Sequence, residues 1–190
     1  THKVLVLSDL CVGTEEECEK LRKFVREGGC LYASAETGRY NTEGKEIPGG
    51  ALADLLGVTF LKPTTEEITY IRPTDAGAYI LEGYTETHPL TVNSPQMLVE
   101  AREDATVLGK LTCPWVHPKD VTKFASAISD PPGKNTESPS LVISNYGKGK
   151  VIYSAGQLET MHKPDQVTAF MRLLELFKTE DYSFETNAPH

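Results

Sequence analysis

The sequence predicts an α/β fold: three layers around a mostly parallel sheet with an antiparallel margin. Three observations predict it. Lys3 to Leu7 is an apolar run without alternation, as in a strand buried on both faces. A capped amphipathic helix follows and leads into a second apolar run at Cys30 to Ser34, a strand–helix–strand order with short connections. Late in the chain, two further runs flank a glycine-rich turn and precede one last helix.

The elements follow from local chemistry. Thr14 can cap a helix while Glu17 reaches back to the cap's own N–H, which is a capping box. The acidic run Glu15 to Glu17 complements the positive helix start. Cys18, Leu21, Phe24 and Val25 recur at helical spacing, and Gly28 stands where the helix needs a left-handed residue to end. Residues 36–49 are polar and glycine-rich, a loop at the carboxyl end of a strand. Ala51 to Leu56 reads as a short helix stopped by Gly57, and Val58 to Leu61 as a brief strand. In the middle, Ile68 to Ile71, Ala78 to Leu81, Met97 to Ala101 and Thr106 to Leu111 are strand-like runs broken by Pro and Gly. They predict antiparallel strands at one side of the sheet. Ser129 to Pro139 predicts a long loop without secondary structure of its own. Leu141 to Asn145 and Val151 to Ser154 predict a hairpin around Tyr146 to Lys150. Pro164 suits the first turn of a final helix, whose stripe is Val167, Phe170, Met171, Leu174 and Phe177. The domain is therefore read as residues 1–178, with a polar tail at 179–190.

Composition narrows the function. The net charge of −8 makes nucleic acid and anionic membrane surfaces poor partners. The basic pair Lys148 and Lys150 reads as a hairpin tip. No apolar run approaches the ~20 residues that span a bilayer. The chain opens on a strand without an initiator Met, which reads as a piece of a longer polypeptide, and nothing in it assigns a compartment. The four cysteines show neither C-x-x-C nor zinc-finger spacing, so no metal is expected. Cys18 and Cys30 read as small buried hydrophobes, and a Cys11–Cys18 disulfide has little support. The glycine-rich turn at Gly147 and Gly149 links two strands and opens no helix. It lacks the N-terminus that would hold a cofactor's phosphate, and no cofactor is expected.

Two stretches carry a family resemblance. The first combines Glu16 and Glu17, Leu21 to Val25, the pair Gly28 and Gly29 with Leu31, and Ala51 to Val58. The second is Pro139 to Ile143 followed by Tyr146 to Tyr153. Together they resemble the β-galactosidase trimerisation domain of family 42 glycoside hydrolases and related sugar hydrolases. The resemblance implies a class I glutamine-amidotransferase-like, flavodoxin-like fold. It also implies a role in holding subunits together and bordering the active-site entrance of a barrel domain, with the catalytic acids outside this chain. Family members usually carry a further βα unit before the strand that Lys3 starts, and that unit is absent from this sequence.

The chemistry of the amidotransferase relatives is also missing. Counted from Gly28 and Gly29, their nucleophile falls at about Ala35, and alanine cannot attack a carbonyl. Ser34, Glu36 and Thr37 are neighbours that could carry chemistry, but Gly-x-Ser-x-Gly is absent. The late histidines His117 and His162 do not match the His-x-Glu arrangement of those relatives. Glu36 is either a carboxylate lining a pocket or a loop cap, with the cap favoured. His88, before Pro89, reads as a structural turn. Trp115, Tyr40 and Tyr84 could stack a sugar, although ordinary packing or an interface is the simpler reading. None of the 27 acidic residues stands out as a glycosidase pair. The reading is a non-catalytic accessory and oligomerisation domain of a larger glycoside hydrolase. Its partners are further copies of the chain or a barrel domain of the same polypeptide. The alternatives are a small hydrolase with a rewired site at Ser34, Glu36 and His88, or a sugar-binding module.

Overall fold

The computed structural model describes residues 3–117, 119–125 and 130–178, so the tail at 179–190 lies outside the described residues. The strands are β1 (Val4–Leu7), β2 (Cys30–Ser34), β3 (Val58–Pro63), β4 (Thr69–Pro73) and β5 (Leu90–Val92). They continue with β6 (Met97–Ala101), β7 (Thr106–Pro114), β8 (Pro132–Tyr146) and β9 (Gly149–Ser154). The helices are α1 (Glu15–Arg26), α2 (Ala53–Leu56) and α3 (Pro164–Glu175). Seven strands make one sheet in the order β1-β2-β9-β8-β7-β4-β5, while β3 and β6 form a separate antiparallel pair.

The α/β class holds, but the balance within the sheet differs from expectation. Parallel pairing is confined to β1 with β2 and β2 with β9. The four remaining pairs of the large sheet are antiparallel, so the expected margin is its larger part. A parallel neighbour needs a crossover of a dozen or more residues, usually through a helix. Among the described residues between β2 and β9, the one α-helix is the four-residue α2, and the strands there return beside one another antiparallel.

Two middle segments also depart from the sequence reading. Ala78 to Leu81 is not a strand: it continues the 3₁₀ turn Asp75–Gly77, with the Leu81 N–H donating to the Gly77 carbonyl (3.1 Å). Ile80 and Leu81 are buried from that turn. From Pro132 onward, the segment expected as a loop is the first half of β8. Its pairing with β7 shifts register repeatedly, with Pro132 opposite Pro114 and Pro139 opposite Lys110. Proline cannot donate to the ladder, and the bulges absorb it without ending the strand.

The N-terminal unit forms as its local chemistry dictates. Thr14 accepts the Glu17 N–H (3.2 Å), and Glu17 accepts the Thr14 N–H (2.8 Å). All four cysteines are free. Strand alternation then builds two cores. Tyr32, Leu141 and Ile152 face α3, whereas Leu31, Ala33, Val142, Val151 and Tyr153 face α1, α2 and the β3–β6 pair. Fully burying a side chain of this size contributes roughly 1.5–3 kcal/mol.

The β8–β9 hairpin is pressed onto the end of α1. Its two-residue turn starts at Gly147 (φ 61°), as a type II′ turn requires, and the Lys148 N–H donates to the Arg26 carbonyl (3.1 Å). A Cβ at Gly149 would lie 2.1 Å from the Gly29 carbonyl oxygen and 2.4 Å from that of Val25. Gly149→Ala is therefore expected to destabilise the chain by about 3 kcal/mol. Gly44→Ala, where only the positive φ is violated and the space is open, is expected to cost about 1 kcal/mol. Urea midpoints of the two variants check the difference.

Candidate functional site

The carboxyl ends of β1, β2 and β9 meet at one corner, where open α/β sheets place their ligands. Directly after β2, Ala35 adopts φ 49°; Asp9 (φ 50°), after β1, is the other described non-glycine residue with positive φ. This left-handed conformation costs an L-residue about 1–2 kcal/mol. It persists because the backbone is pinned: the Ala35 N–H donates to the Ser154 carbonyl (2.8 Å), and the Tyr153 hydroxyl donates to the Ala35 carbonyl (2.8 Å). A sharp elbow thus stands where the sequence reading places the missing nucleophile, and its side chain is a methyl group.

Two carboxylates organise the corner. Asp9 Oδ1 accepts the N–H of Glu36 (2.9 Å), and the Asp9 N–H donates to Ser34 Oγ (3.2 Å). Glu159, in the 3₁₀ turn after β9, accepts three hydroxyls: Ser34 (2.5 Å), Ser8 (2.5 Å) and Tyr32 (2.8 Å). Glu36 is held by the buried Arg39 guanidinium at 2.7 Å, and Arg39 also reaches Glu46 (3.2 Å). A cavity of about 170 Å³ opens beside the elbow, lined in part by Asp9, Ala35, Glu36, Ser94, Gln96 and Gln157. Ser94 Oγ is buried there without a hydrogen-bond partner.

The field at this corner opposes anionic nucleophiles. Burial, then the Asp9 carboxylate, pushes the Cys11 thiol up to about 11. Burial, then Glu159, raises Tyr32 well above the usual phenol range; burial, then Asp9 and Glu36, does the same for Tyr153.

Ser34 and Glu36 therefore share this corner. His88 does not line its cavity; it closes a turn in which its N–H donates to Thr85 Oγ1 (3.1 Å) and its Nδ1 meets Thr87 Oγ1 (3.0 Å). The three aromatics considered as a sugar platform are also dispersed. Trp115 lies at the end of β7, Tyr40 stacks under Arg39, and Tyr84 lines a small hollow with Asp165 of α3. Among the described residues, no three His, Cys, Asp or Glu side chains converge as a metal site, and no helix is long and apolar enough to cross a membrane. Sequence reasoning missed Asp9 and Glu159. The available signal was that both are acidic residues just beyond the carboxyl ends of strands.

Together these features define an α/β domain whose strand-end elbow carries no reactive atom and whose adjacent N–H is already bonded. The model of the β-galactosidase trimerisation domain matches residues 1–175, and the chain belongs to that family. The β-galactosidase from Rahnella sp. R3 is 18% identical, with a TM-score of 0.62 over 92% of this chain and 23% of that one. The β-galactosidase from the Antarctic haloarchaeon Halorubrum lacusprofundi is 18% identical, with a TM-score of 0.63 over 92% of this chain and 22% of that one. A cytoplasmic protein from Salmonella typhimurium is 16% identical, with a TM-score of 0.62 over 92% of this chain and 71% of that one. At these identities the likeness is one of fold, and this chain spans less than a quarter of either β-galactosidase. No curated protein matches the sequence.

Ala35→Gly removes the left-handed strain at the cost of extra chain entropy. The net effect expected is a gain of about 0.5–1 kcal/mol, read as a raised melting temperature. Tyr32 and Tyr153 hold their protons to higher pH when folded than when unfolded. Their contribution to stability is complete below the unfolded phenol pKa of about 10 and is lost as pH rises toward the folded-state values. Near-ultraviolet absorbance is expected to show both phenols ionising only together with alkaline unfolding.

Proposed function

We propose that this chain is a non-catalytic accessory and oligomerisation domain of a larger glycoside hydrolase. It spans residues 1–178 with a polar tail at 179–190. Its partners are further copies of itself and a barrel domain of the same polypeptide. Membership of the trimerisation-domain family supports the oligomeric part.

The observation that carries the non-catalytic part is the hydrogen bond from the Glu36 N–H to Asp9 Oδ1 (2.9 Å). An elbow nucleophile needs an attacking atom and an oxyanion donor, commonly the N–H of the next residue. Here the attacking atom is replaced by the Ala35 methyl group, and the next N–H is committed to a carboxylate. The same two carboxylates that raise Tyr153 face any thiol introduced at position 35. The parallel β1-α1-β2-β9 corner, covered on both faces, supports a flavodoxin-like, amidotransferase-like origin for this half of the fold. The rewired hydrolase at Ser34, Glu36 and His88 loses support because His88 sits in a separate turn.

The 190-residue chain is expected to hydrolyse neither aryl glycosides nor glutamine, and to self-associate in sedimentation velocity with a concentration-dependent coefficient. Ala35→Cys is expected to stay inert toward glutamine and to alkylate slowly at neutral pH. Turnover by the native chain that disappears in Ser34→Ala would overturn the non-catalytic reading. A strictly monomeric species, in both the isolated chain and the intact polypeptide, would overturn the oligomeric one.

A further inference from the structure

A roomier groove than the elbow cavity lies away from it. A groove of about 540 Å³ opens between the end of β3, the end of β7 and the start of β8. That volume falls within the roughly 300–1,000 Å³ of small-ligand sites. Four lysines line it: Lys62, Lys119, Lys123 and Lys134. The one lining carboxylate is Glu66, which is buried, accepts the Thr65 N–H (2.9 Å) and lies 3.6 Å from His117 Nε2. Lys123 is partly neutralised by Asp120 (3.7 Å). Lys62, Lys119 and Lys134 are exposed and make no ion pair among the described residues. In a chain of net charge −8, this is a local concentration of uncompensated positive charge.

The groove also holds Trp115, the chain's single tryptophan, with about half of its surface exposed (52%). Its backbone is fixed by Gly133 across the β7–β8 bulge, where a Cβ would lie 2.4 Å from the Trp115 Cα. Lys123 Nζ stands 4.3 Å from the ring centroid, so a cation and an aromatic face are presented together. The hydroxyl-bearing Thr64, Thr65 and Thr136 complete the wall.

We infer that this groove binds a short anionic saccharide. Lysines pair with carboxylate or sulfate groups, the indole stacks on the apolar C–H face of a sugar ring, and the threonines exchange hydrogen bonds with ring hydroxyls. Short length follows from charge: at physiological salt the lysines act over about 8 Å, and beyond the groove the acidic chain repels a long polyanion. Nucleic acid fails on that ground. The inference is independent of the oligomerisation proposal and stands or falls without it.

Because Trp115 is the single tryptophan, intrinsic fluorescence reads this groove directly. The 190-residue chain is titrated at low salt with a short oligogalacturonate, a sulfated oligosaccharide of matching length, a neutral oligosaccharide and adenosine monophosphate. A saturable fluorescence change is expected with one or both acidic sugars and not with the neutral one, and the two acidic arms separate carboxylate from sulfate recognition. Lys62→Glu with Lys134→Glu is expected to weaken that binding by about tenfold or more, with circular dichroism unchanged. Amide chemical shifts of Trp115→Ala are expected to show the same loss without the fluorescent reporter. No response to either acidic sugar at millimolar concentration would overturn the inference, as would equal affinity in the charge-reversed variant. Equal binding of adenosine monophosphate would overturn the saccharide assignment.

Discussion

The structure depends on β9 being paired on both sides. It lies parallel to β2 through Cys30–Lys150 to Ser34–Ser154, and antiparallel to β8 through Leu141–Ser154 to Tyr146–Gly149. Val151, Ile152 and Tyr153 are fully buried, with alternate side chains serving the two opposite cores. The strand therefore joins a small parallel unit to a larger antiparallel one. Its start is set by Gly149, whose missing side chain lets the hairpin rest against the carbonyls of α1 and of Gly29.

The same strand supports the elbow. The Ser154 carbonyl and the Tyr153 hydroxyl hold Ala35 in a conformation that alanine does not prefer. Backbone strain at such a position usually accompanies a reactive side chain. Here the strained turn carries a methyl group, Asp9 accepts the neighbouring N–H, and Glu159 gathers Ser8, Tyr32 and Ser34. The corner is thus a closed hydrogen-bond network tying β1, β2 and β9 together. Its carboxylates, the feature that disfavours a nucleophile, are also what satisfy its hydroxyls and amides.

Much of the fold was legible wherever its cause was local. The Thr14–Glu17 cap, the Gly28 and Gly57 stops and the Gly147 turn each involve residues only a few positions apart. That position 35 is an alanine is plain in the sequence, but its left-handed backbone was not legible there. Other features were hidden. Pro131, Pro132, Gly133 and Pro139 carry the composition of a loop, and only pairing with β7 across several bulges makes the segment a strand. Ala78 to Leu81 has the composition of a strand but is buried from a turn. In the first case pairing with β7 overrides local propensity although Pro132 to Ser138 stay exposed or half-buried, and in the second burial does.

By itself the sequence determined the helices α1, α2 and α3, the hairpin turn at Gly147, the apolar faces of the helices, and that position 35 offers no attacking atom. Only the tertiary structure decided the strand order, the capture of the Glu36 N–H by Asp9, and the convergence of Lys62, Lys119, Lys123 and Lys134 around Trp115. The physical reason is range. A cap or a turn is settled by neighbours within a few residues, whereas Asp9 meets Glu36 across 27 positions and Ser34 meets Glu159 across 125. Such contacts form only once burial of the two cores has offset the entropy of closing the intervening chain.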